Sequence, residues 1–308
     1  MWRYVLTRLL QGAAVVVLVA TATFVILHLT PGNPVDILVG EAEVSRPQVE
    51  AIEHLWGFDR PLYVQYLTWL TNMARGDFGE SVIRTGVPVG TMLAQAAPVT
   101  ITLNVAAFLV SLAVAIPVGI LAGVRRYSMF DYVGTVGATL GVALPSFWIS
   151  LMAIIFFAVQ LRWFPPFGLQ SWTGYVLPVA VLATEQTAVI ARLMRGSVAG
   201  VLHQDYVRTG RAKGLAEPAV VLRHAVRNAL LPVITVLGYR VAFLLSGTII
   251  VETVFALPGV GRLLTDSVYH LDYQVVQVIA LLLAVIVVAA NIATDLVYAL
   301  VDPRIRIG

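Results

Sequence analysis

Residues 195–232 read RGSVAGVLHQDYVRTGRAKGLAEPAVVLRHAVRNALLP, a basic and polar stretch between long apolar segments. Seven of the twenty Lys and Arg residues lie in it or just before it, at Arg192, Arg195, Arg208, Arg211, Lys213, Arg223 and Arg227. Between membrane-crossing segments such a cationic excess marks the cytoplasmic side. Its punctuation predicts two short helices. The first is expected to take Asp205 as its N-cap, to carry Arg211 and Lys213 where cations complement a helix C-terminus, and to stop at Gly214 in the left-handed conformation. The second is expected to open with Pro218 in its first position behind Glu217. Val221, Leu222, Ala225, Val226 and Ala229 then form one apolar stripe opposite Arg223, His224, Arg227 and Asn228, so this helix should lie along a surface rather than cross a membrane.

Composition sets the class. Hydrophobic residues make up 59% of the 308, charged residues 12%, and the mean hydropathy is +0.86. A soluble domain carries roughly 25% charged residues, so this is an integral membrane protein. Cysteine is absent, which excludes disulfides, thiolate metal sites and cysteine nucleophiles. The five histidines (28, 54, 203, 224 and 270) have no metal-ligand spacing. The basic excess sits in membrane-flanking loops, and no nucleic-acid role follows from it.

In chain order, the first span follows MWRYVLTR and runs uncharged from Leu9 to Val35. It reads as an anchor rather than a signal peptide, because the apolar run is long and lacks a small-x-small cleavage site. Residues 31–98 then carry eight carboxylates against four Arg, as suits the extracytoplasmic side. Within them PLYVQYLTWL predicts an amphipathic helix with Pro61 in its first position and Tyr63, Tyr66, Leu67 and Leu70 at helical spacing. The aromatics Trp56, Tyr63, Tyr66 and Trp69 read as an interfacial belt in preference to a ligand site.

The second span is expected over Val99–Val124 and the third over Tyr132–Gln160, kinked at Pro145. Gly119 with Gly123, and Gly137 with Gly141, offer close-packing faces. A fourth span is expected over Val176–Met194, a fifth over Leu231–Val251 and a sixth over Tyr273–Ala299, with ETVFALPGVGRLL (252–264) as an outer loop. Six spans put both termini in the cytoplasm with every Arg-rich short loop.

Three charged groups within these spans, Glu185, Arg240 and Asp295, invite a functional reading, because charge there is costly and finds a partner or lines a cavity. Glu185 and Arg240 are expected near mid-membrane, as a structural ion pair or as pathway contacts. Asp295 is expected at the cytoplasmic interface. The sole lysine, Lys213, is not part of a GxxxxGK[ST] loop, so the chain has no phosphate-binding loop of that kind. Neither a catalytic triad nor a paired-carboxylate site is legible.

Several phrases resemble one family, the inner-membrane permease subunits of ABC importers of the dipeptide, oligopeptide and nickel group. They are DYVRTGRAKGL with RHAVRNALLP, LWGFDRPLYVQYL, RGDFGES, LPSFW, ETVFALPGVGRLL and DLVYALVDPRIR, and in order they cover nearly the whole chain. The resemblance implies an all-α, polytopic membrane protein of the type I permease fold, with six transmembrane helices and a cytoplasmic coupling helix. It implies a division into residues 1–98, the first span plus an extracytoplasmic segment, and residues 99–308, the transmembrane domain with its coupling loop at 195–228. It assigns ATPase coupling to Asp205, Tyr206, Arg208, Thr209, Arg211, Ala212, Lys213 and Gly214. Gly210 departs from the family pattern, in which Ala is expected. Arg240 also departs from an expected uncharged residue.

The implied partners are a second related permease, two cytoplasmic ATPases that bind the ATP, an extracytoplasmic solute-binding protein and membrane lipid. No catalytic residue, metal or cofactor is implied for this chain. Peptides are the implied cargo, with nickel, glutathione and haem as alternatives. A secondary transporter would often show an inverted repeat, and none is clear here. A membrane enzyme would turn over substrate without partners.

Overall fold

The structure is a computed structural model that describes residues 2–29, 47, 54, 56–242 and 248–301, with side chains described for 6–29, 47, 54, 56–234, 236 and 248–293. Among the described residues every regular element is helical, apart from a lone bridge between Glu80 and Pro88. Four helices are long and apolar enough to cross a membrane, and a bent pair supplies a fifth crossing if it counts as one span. The predicted fifth span includes residues 243–247, which lie outside the described residues. The chain divides into two compact units, residues 1–99 with 258–308 and residues 100–257.

In the first unit, α1 (Trp2–Leu29) packs along α12 (Tyr273–Val301), and α2 (Leu62–Ala74) lies against α1. Pro61 is the N-cap of α2 rather than its first residue. Its inward face is Tyr66, Trp69, Leu70 and Met73, packed with Phe24, Val275, Val278 and Ile279. Tyr63 and Leu67 are exposed, so the inward face is narrower than the spacing of apolar residues suggested.

Asp272 caps α12 and anchors the loop ahead of α3 (Val89–Val124). Its buried carboxylate accepts hydrogen bonds from Ser81 Oγ and the Val82 amide, and more distantly from the Val275 amide in the first turn. Gln274 Nε2 donates to the Phe78 carbonyl at 2.8 Å, which fastens the same loop a second time.

α3 begins ten residues before the predicted second span and contains Pro98. Its whole length is uncharged, and membrane helices tolerate an internal proline where neighbours re-satisfy the freed carbonyl. At 36 residues it is about 54 Å long, well beyond the ~30 Å hydrocarbon core.

In the second unit, α6 (Val176–Val201) is central. α4 (Met129–Ala143), α5 (Ser146–Ala153) and α9 (Arg227–Ala242) all pack on it. α3 also meets it at two glycines. A Cβ on Gly119 would lie 2.6 Å from Met194 Cβ and 2.8 Å from the Ala191 carbonyl, and one on Gly123 would lie 2.8 Å from Val198 Cβ. These two glycines therefore let the helix backbones meet, as the small-residue face predicted. Gly141 does the same against Ala188 and Thr184, whereas Gly137 faces open space and takes no part.

The predicted third span is broken rather than kinked. α4 and the helix of α5 with its π-helical continuation Ile154–Gln160 meet at 106°. Leu144 is extended there, with φ −85° and ψ 129°, as the residue before proline prefers, and Pro145 cannot donate into a continuing helix. The segment expected as an outer loop at 252–264 is instead mostly helical, in α10 (Ile249–Val254) and α11 (Val260–Tyr269). Within α10, Glu252 is fully buried and accepts a hydrogen bond from Thr100 Oγ1 at 2.7 Å.

Candidate coupling site

The fourth span does not end at Met194. α6 continues to Val201 because Arg195 is neutralised and Val198 and Ala199 are buried. Arg195 donates through Nε and Nη2 to the two oxygens of Asp131, which is itself buried in the first turn of α4. Asp131 also accepts from the Tyr127 amide at 2.9 Å. This forked pair ties the start of α4 to the end of α6 just before the chain turns into the basic segment.

After a short turn, α7 (Asp205–Ala212) forms with Gln204, not Asp205, as N-cap. Gln204 has the extended ψ of 149° that the cap position needs, which places Asp205 in the first turn, where its charge still complements the N-terminal dipole. Asp205 lies 3.9 Å from Arg208 on the surface.

The C-terminal stop is as expected. Gly214 has φ +77°, its amide bonds to the Arg211 carbonyl at 2.9 Å, and the Leu215 amide reaches back to the Gly210 carbonyl at 3.4 Å. These are the two bonds of a Schellman motif.

The turn is fastened by an ion pair that spacing alone did not suggest. Arg211 Nε and Nη2 donate to the two oxygens of Glu217 at 3.1 and 2.6 Å across the Gly214 turn. The hydrogen bonds from Arg211 hold the Glu217 carboxyl below its usual range, and the same contact raises Arg211.

α8 (Glu217–Ala219) follows, with Ala216 as N-cap and Pro218 in the second position rather than the first. Helical structure then runs on through the π-helical turn Val220–Val226 into α9 without interruption. The second surface helix, from Glu217 through the π-helical turn, therefore runs on into α9 and is not a separate element. Its buried side is Val220, Val221, Ala225, Val226 and Ala229. Leu222, expected on that side, is 62% exposed, because the wider π-helical turn rotates it away from the stripe.

This arrangement sorts the predicted coupling residues. Only Val207 and Gly210 of α7 are buried. A Cβ on Gly210 would meet His224 and Val220 at 3.8 Å, an ordinary contact, so α7 rests on the π-helical turn through this face. Asp205, Tyr206, Arg208, Thr209, Arg211, Ala212, Lys213 and Gly214 are all exposed. The side chains of Asp205, Tyr206, Arg208, Thr209, Ala212 and Lys213, with the turn that follows them, thus form an exposed surface held by an inward-facing Val207 and the Arg211–Glu217 clamp.

Glu185 lies exposed on α6. The side chains of Arg240 and Asp295 lie outside the described residues. Among the described residues no cluster of His, Asp and Glu has metal-binding geometry.

The sequence profile described as "Binding-protein-dependent transport system inner membrane component" matches residues 115–307, and its companion for the N-terminal part of such components matches residues 1–115. The chain belongs to this family. The permease is 38% identical to the oligopeptide transport system permease protein AppB of Bacillus subtilis, over 98% of this chain and 99% of that one. It is also 38% identical to the glutathione transport system permease protein GsiC of Salmonella choleraesuis, over 99% of both chains. A solved amino acid ABC transporter shares the permease's fold, with a TM-score of 0.54 at 15% identity over 68% of this chain and 94% of that one. The permease is therefore an all-α, multi-pass subunit of an ABC import system.

Proposed function

We propose that this permease forms half of the translocation pathway of a peptide importer and that the exposed surface of α7 receives the movement of a cytoplasmic ATPase. The observation that carries the reading is the free, basic surface of α7, which presents family coupling residues on a helix clamped at its C-terminal end. Similarity to an oligopeptide permease over essentially the full length supports peptides as the cargo. Glutathione, the cargo in another relative's name, is itself a small peptide.

In this reading residues 195–228 and both termini are cytoplasmic and residues 31–98 are outside. Residues 1–98 and 99–308 act as the two domains. The working assembly adds a second related permease, two ATPases and an extracytoplasmic solute-binding protein. ATP is bound by the ATPases, so this chain contributes neither a cofactor nor an ATPase site of its own. Glu185 and Arg240 are proposed to pair across the fourth and fifth spans or to line the pathway.

Reconstitution of the permease with its partners in proteoliposomes tests the whole. ATP-dependent peptide uptake that requires this chain is the expected outcome. An extracytoplasmic signal from a reporter placed at Gly210 would overturn the assignment of α7.

A further inference from the structure

α3 ends at Val124 and α4 starts at Met129, and the turn between them reads RRYS. We propose that this turn binds the phosphate of an anionic phospholipid headgroup through Arg125 and Arg126, with the exposed face of α4 lying along the lipid's acyl chains. Such a site is independent of the cargo and of the ATPase contact proposed for α7.

Two cations here lack an anion. Arg125 and Arg126 are both exposed, and among the described residues neither makes an ion pair. Asp131 is the only acid between Glu80 and Glu185, and its two oxygens are held by Arg195 and the Tyr127 amide. The nearest acid in the chain is therefore already neutralised and leaves both guanidinium groups uncompensated.

Both cations are held over aromatic rings. Arg125 Cζ lies 5.6 Å from the centroid of Phe130, and Arg126 Cζ lies 5.9 Å from that of Tyr127. Tyr127 takes its position under strain, because its φ is +60°, a left-handed conformation that a bulky side chain seldom adopts. The Asp131 carboxylate holds the Tyr127 amide there at 2.9 Å, yet the residue is 78% exposed, so packing within the chain does not account for the strain. A strained, exposed aromatic beside two uncompensated cations marks a surface built to meet something outside the chain.

The residues that follow identify the ligand. Met129, Val133, Val136 and Leu140 recur at helical spacing along one face of α4, and all are exposed, as is Phe130 in the first turn. α3 is long and apolar enough to cross a membrane, and α4 with its bent continuation passes the same test. The arginines thus stand where an apolar span ends, at the depth of lipid phosphates and directly beside a stripe suited to acyl chains. A soluble anion would use the cations alone and an apolar protein face the stripe alone, whereas an anionic lipid uses both. Forked guanidinium–phosphate hydrogen bonds then add to the general attraction of basic residues for an anionic leaflet.

The test is native mass spectrometry and thermal unfolding of the purified full-length permease in detergent, titrated with dioleoyl phosphatidylglycerol, dioleoyl phosphatidylcholine and inorganic phosphate. Phosphatidylglycerol should bind about tenfold tighter than phosphatidylcholine and raise the unfolding midpoint, and inorganic phosphate should not raise it. Arg125→Gln combined with Arg126→Gln should bring the two lipids to about equal binding and abolish the midpoint shift. Arg75→Gln combined with Arg84→Gln removes the same charge from exposed positions elsewhere and should leave the preference as it was. Phe130→Leu keeps the apolar stripe but removes the ring under Arg125, and should weaken phosphatidylglycerol about threefold.

A lipid preference that survives the change of both Arg125 and Arg126 would overturn the proposal. An equal loss in the Arg75 and Arg84 control would do so as well, because it would reduce the effect to net charge. An equal midpoint shift from inorganic phosphate would make the turn a free-anion site. Loss of the ATPase from the assembled complex, with the lipid preference intact, would make it a protein-docking surface instead.

Discussion

Arg195 and Asp131, sixty-four residues apart, form a forked ion pair that joins the end of α6 to the start of α4 shortly before the basic helix α7. The carboxylate side chain is 5% exposed and the guanidinium 30%. Removing one partner of a fully buried pair typically costs 3–5 kcal/mol, and the partial exposure of Arg195 should lower that to about 2–3 kcal/mol. Asp131→Asn and Arg195→Met should each lower the thermal midpoint of the purified complex, while the double variant should lose less than the sum. Strict additivity in that cycle would refute the coupling. Because the pair borders the proposed coupling segment, each single variant should also lower peptide-stimulated ATP hydrolysis in complexes that remain assembled.

Close backbone approach gives a second prediction. Ala at Gly119 would place a methyl group 2.6 Å from Met194 Cβ and 2.8 Å from a carbonyl, and overpacking of this kind costs about 1–3 kcal/mol. Ala at Gly137, which faces open space, should be neutral or slightly stabilising through its better helix propensity. Thermal unfolding of both variants in the same detergent makes the comparison. Equal midpoints would mean that α3 does not press on α6.

How far these features were legible depends on whether the signal is local. The glycine face at Gly119 and Gly123, the stop at Gly214 and the apolar runs of the first, second, fourth and sixth spans all follow from spacing along one segment, and the structure has them as helices. Asp131 carried no such signal, because its partner is remote and a single acid after Arg125 and Arg126 reads as a solvated loop residue. Asp272 and Glu252 were hidden for the same reason, since their partners Ser81 and Thr100 lie more than 150 residues away.

Element ends were misjudged where a tertiary partner altered the local balance. α6 outruns Met194 because Asp131 neutralises Arg195. α3 starts before Pro98 because an uncharged run can carry a proline. Of the aromatics expected as an interfacial belt, Tyr63 is exposed, whereas Trp69 packs inward with Phe24, a contact that only the fold creates.

The Arg211–Glu217 clamp should make the Gly214 turn sensitive to acid. Hydrogen bonds from Arg211 lower the Glu217 pKa in the folded turn from its ordinary value of 4.5. A depressed carboxylate contributes order above the unfolded pKa and loses it as pH falls through the folded one. Amide exchange over residues 212–216, corrected for intrinsic rates, should therefore be slow at neutral pH and accelerate only below pH 4.5. Glu217→Gln should remove that step and leave the turn looser at neutral pH. A step that survives the substitution would assign the effect to another group.

Glu185 and Arg240 are opposite charges at similar expected depth in the fourth and fifth spans, where an unpaired charge is costly. Glu185→Gln and Arg240→Gln should each impair uptake more than the double substitution does. Simple addition of the two single effects would show that the residues act independently.

The coupling assignment is tested most directly at its two glycines. Gly214 has φ +77°, and a Cβ placed on it would meet nothing within 4 Å, so any penalty for replacing it comes from the backbone conformation and not from a clash. A β-branched residue there opposes the left-handed turn, at about 1–2 kcal/mol or more, whereas Asn adopts it more readily. Gly214→Val should thus leave the permease inserted but loosen the Schellman turn and the Arg211–Glu217 clamp that depends on it. ATPase retention and peptide-stimulated hydrolysis should fall, and Gly214→Asn should keep most of both. Gly210 is the opposite case. A methyl group there meets only ordinary contacts at 3.8 Å, so Gly210→Ala should be tolerated and should stabilise α7 by about 1 kcal/mol or less through helix propensity. If Gly214→Val couples as well as the unmodified complex, the turn does not present α7 to the ATPase, and the role given to Asp205–Gly214 fails.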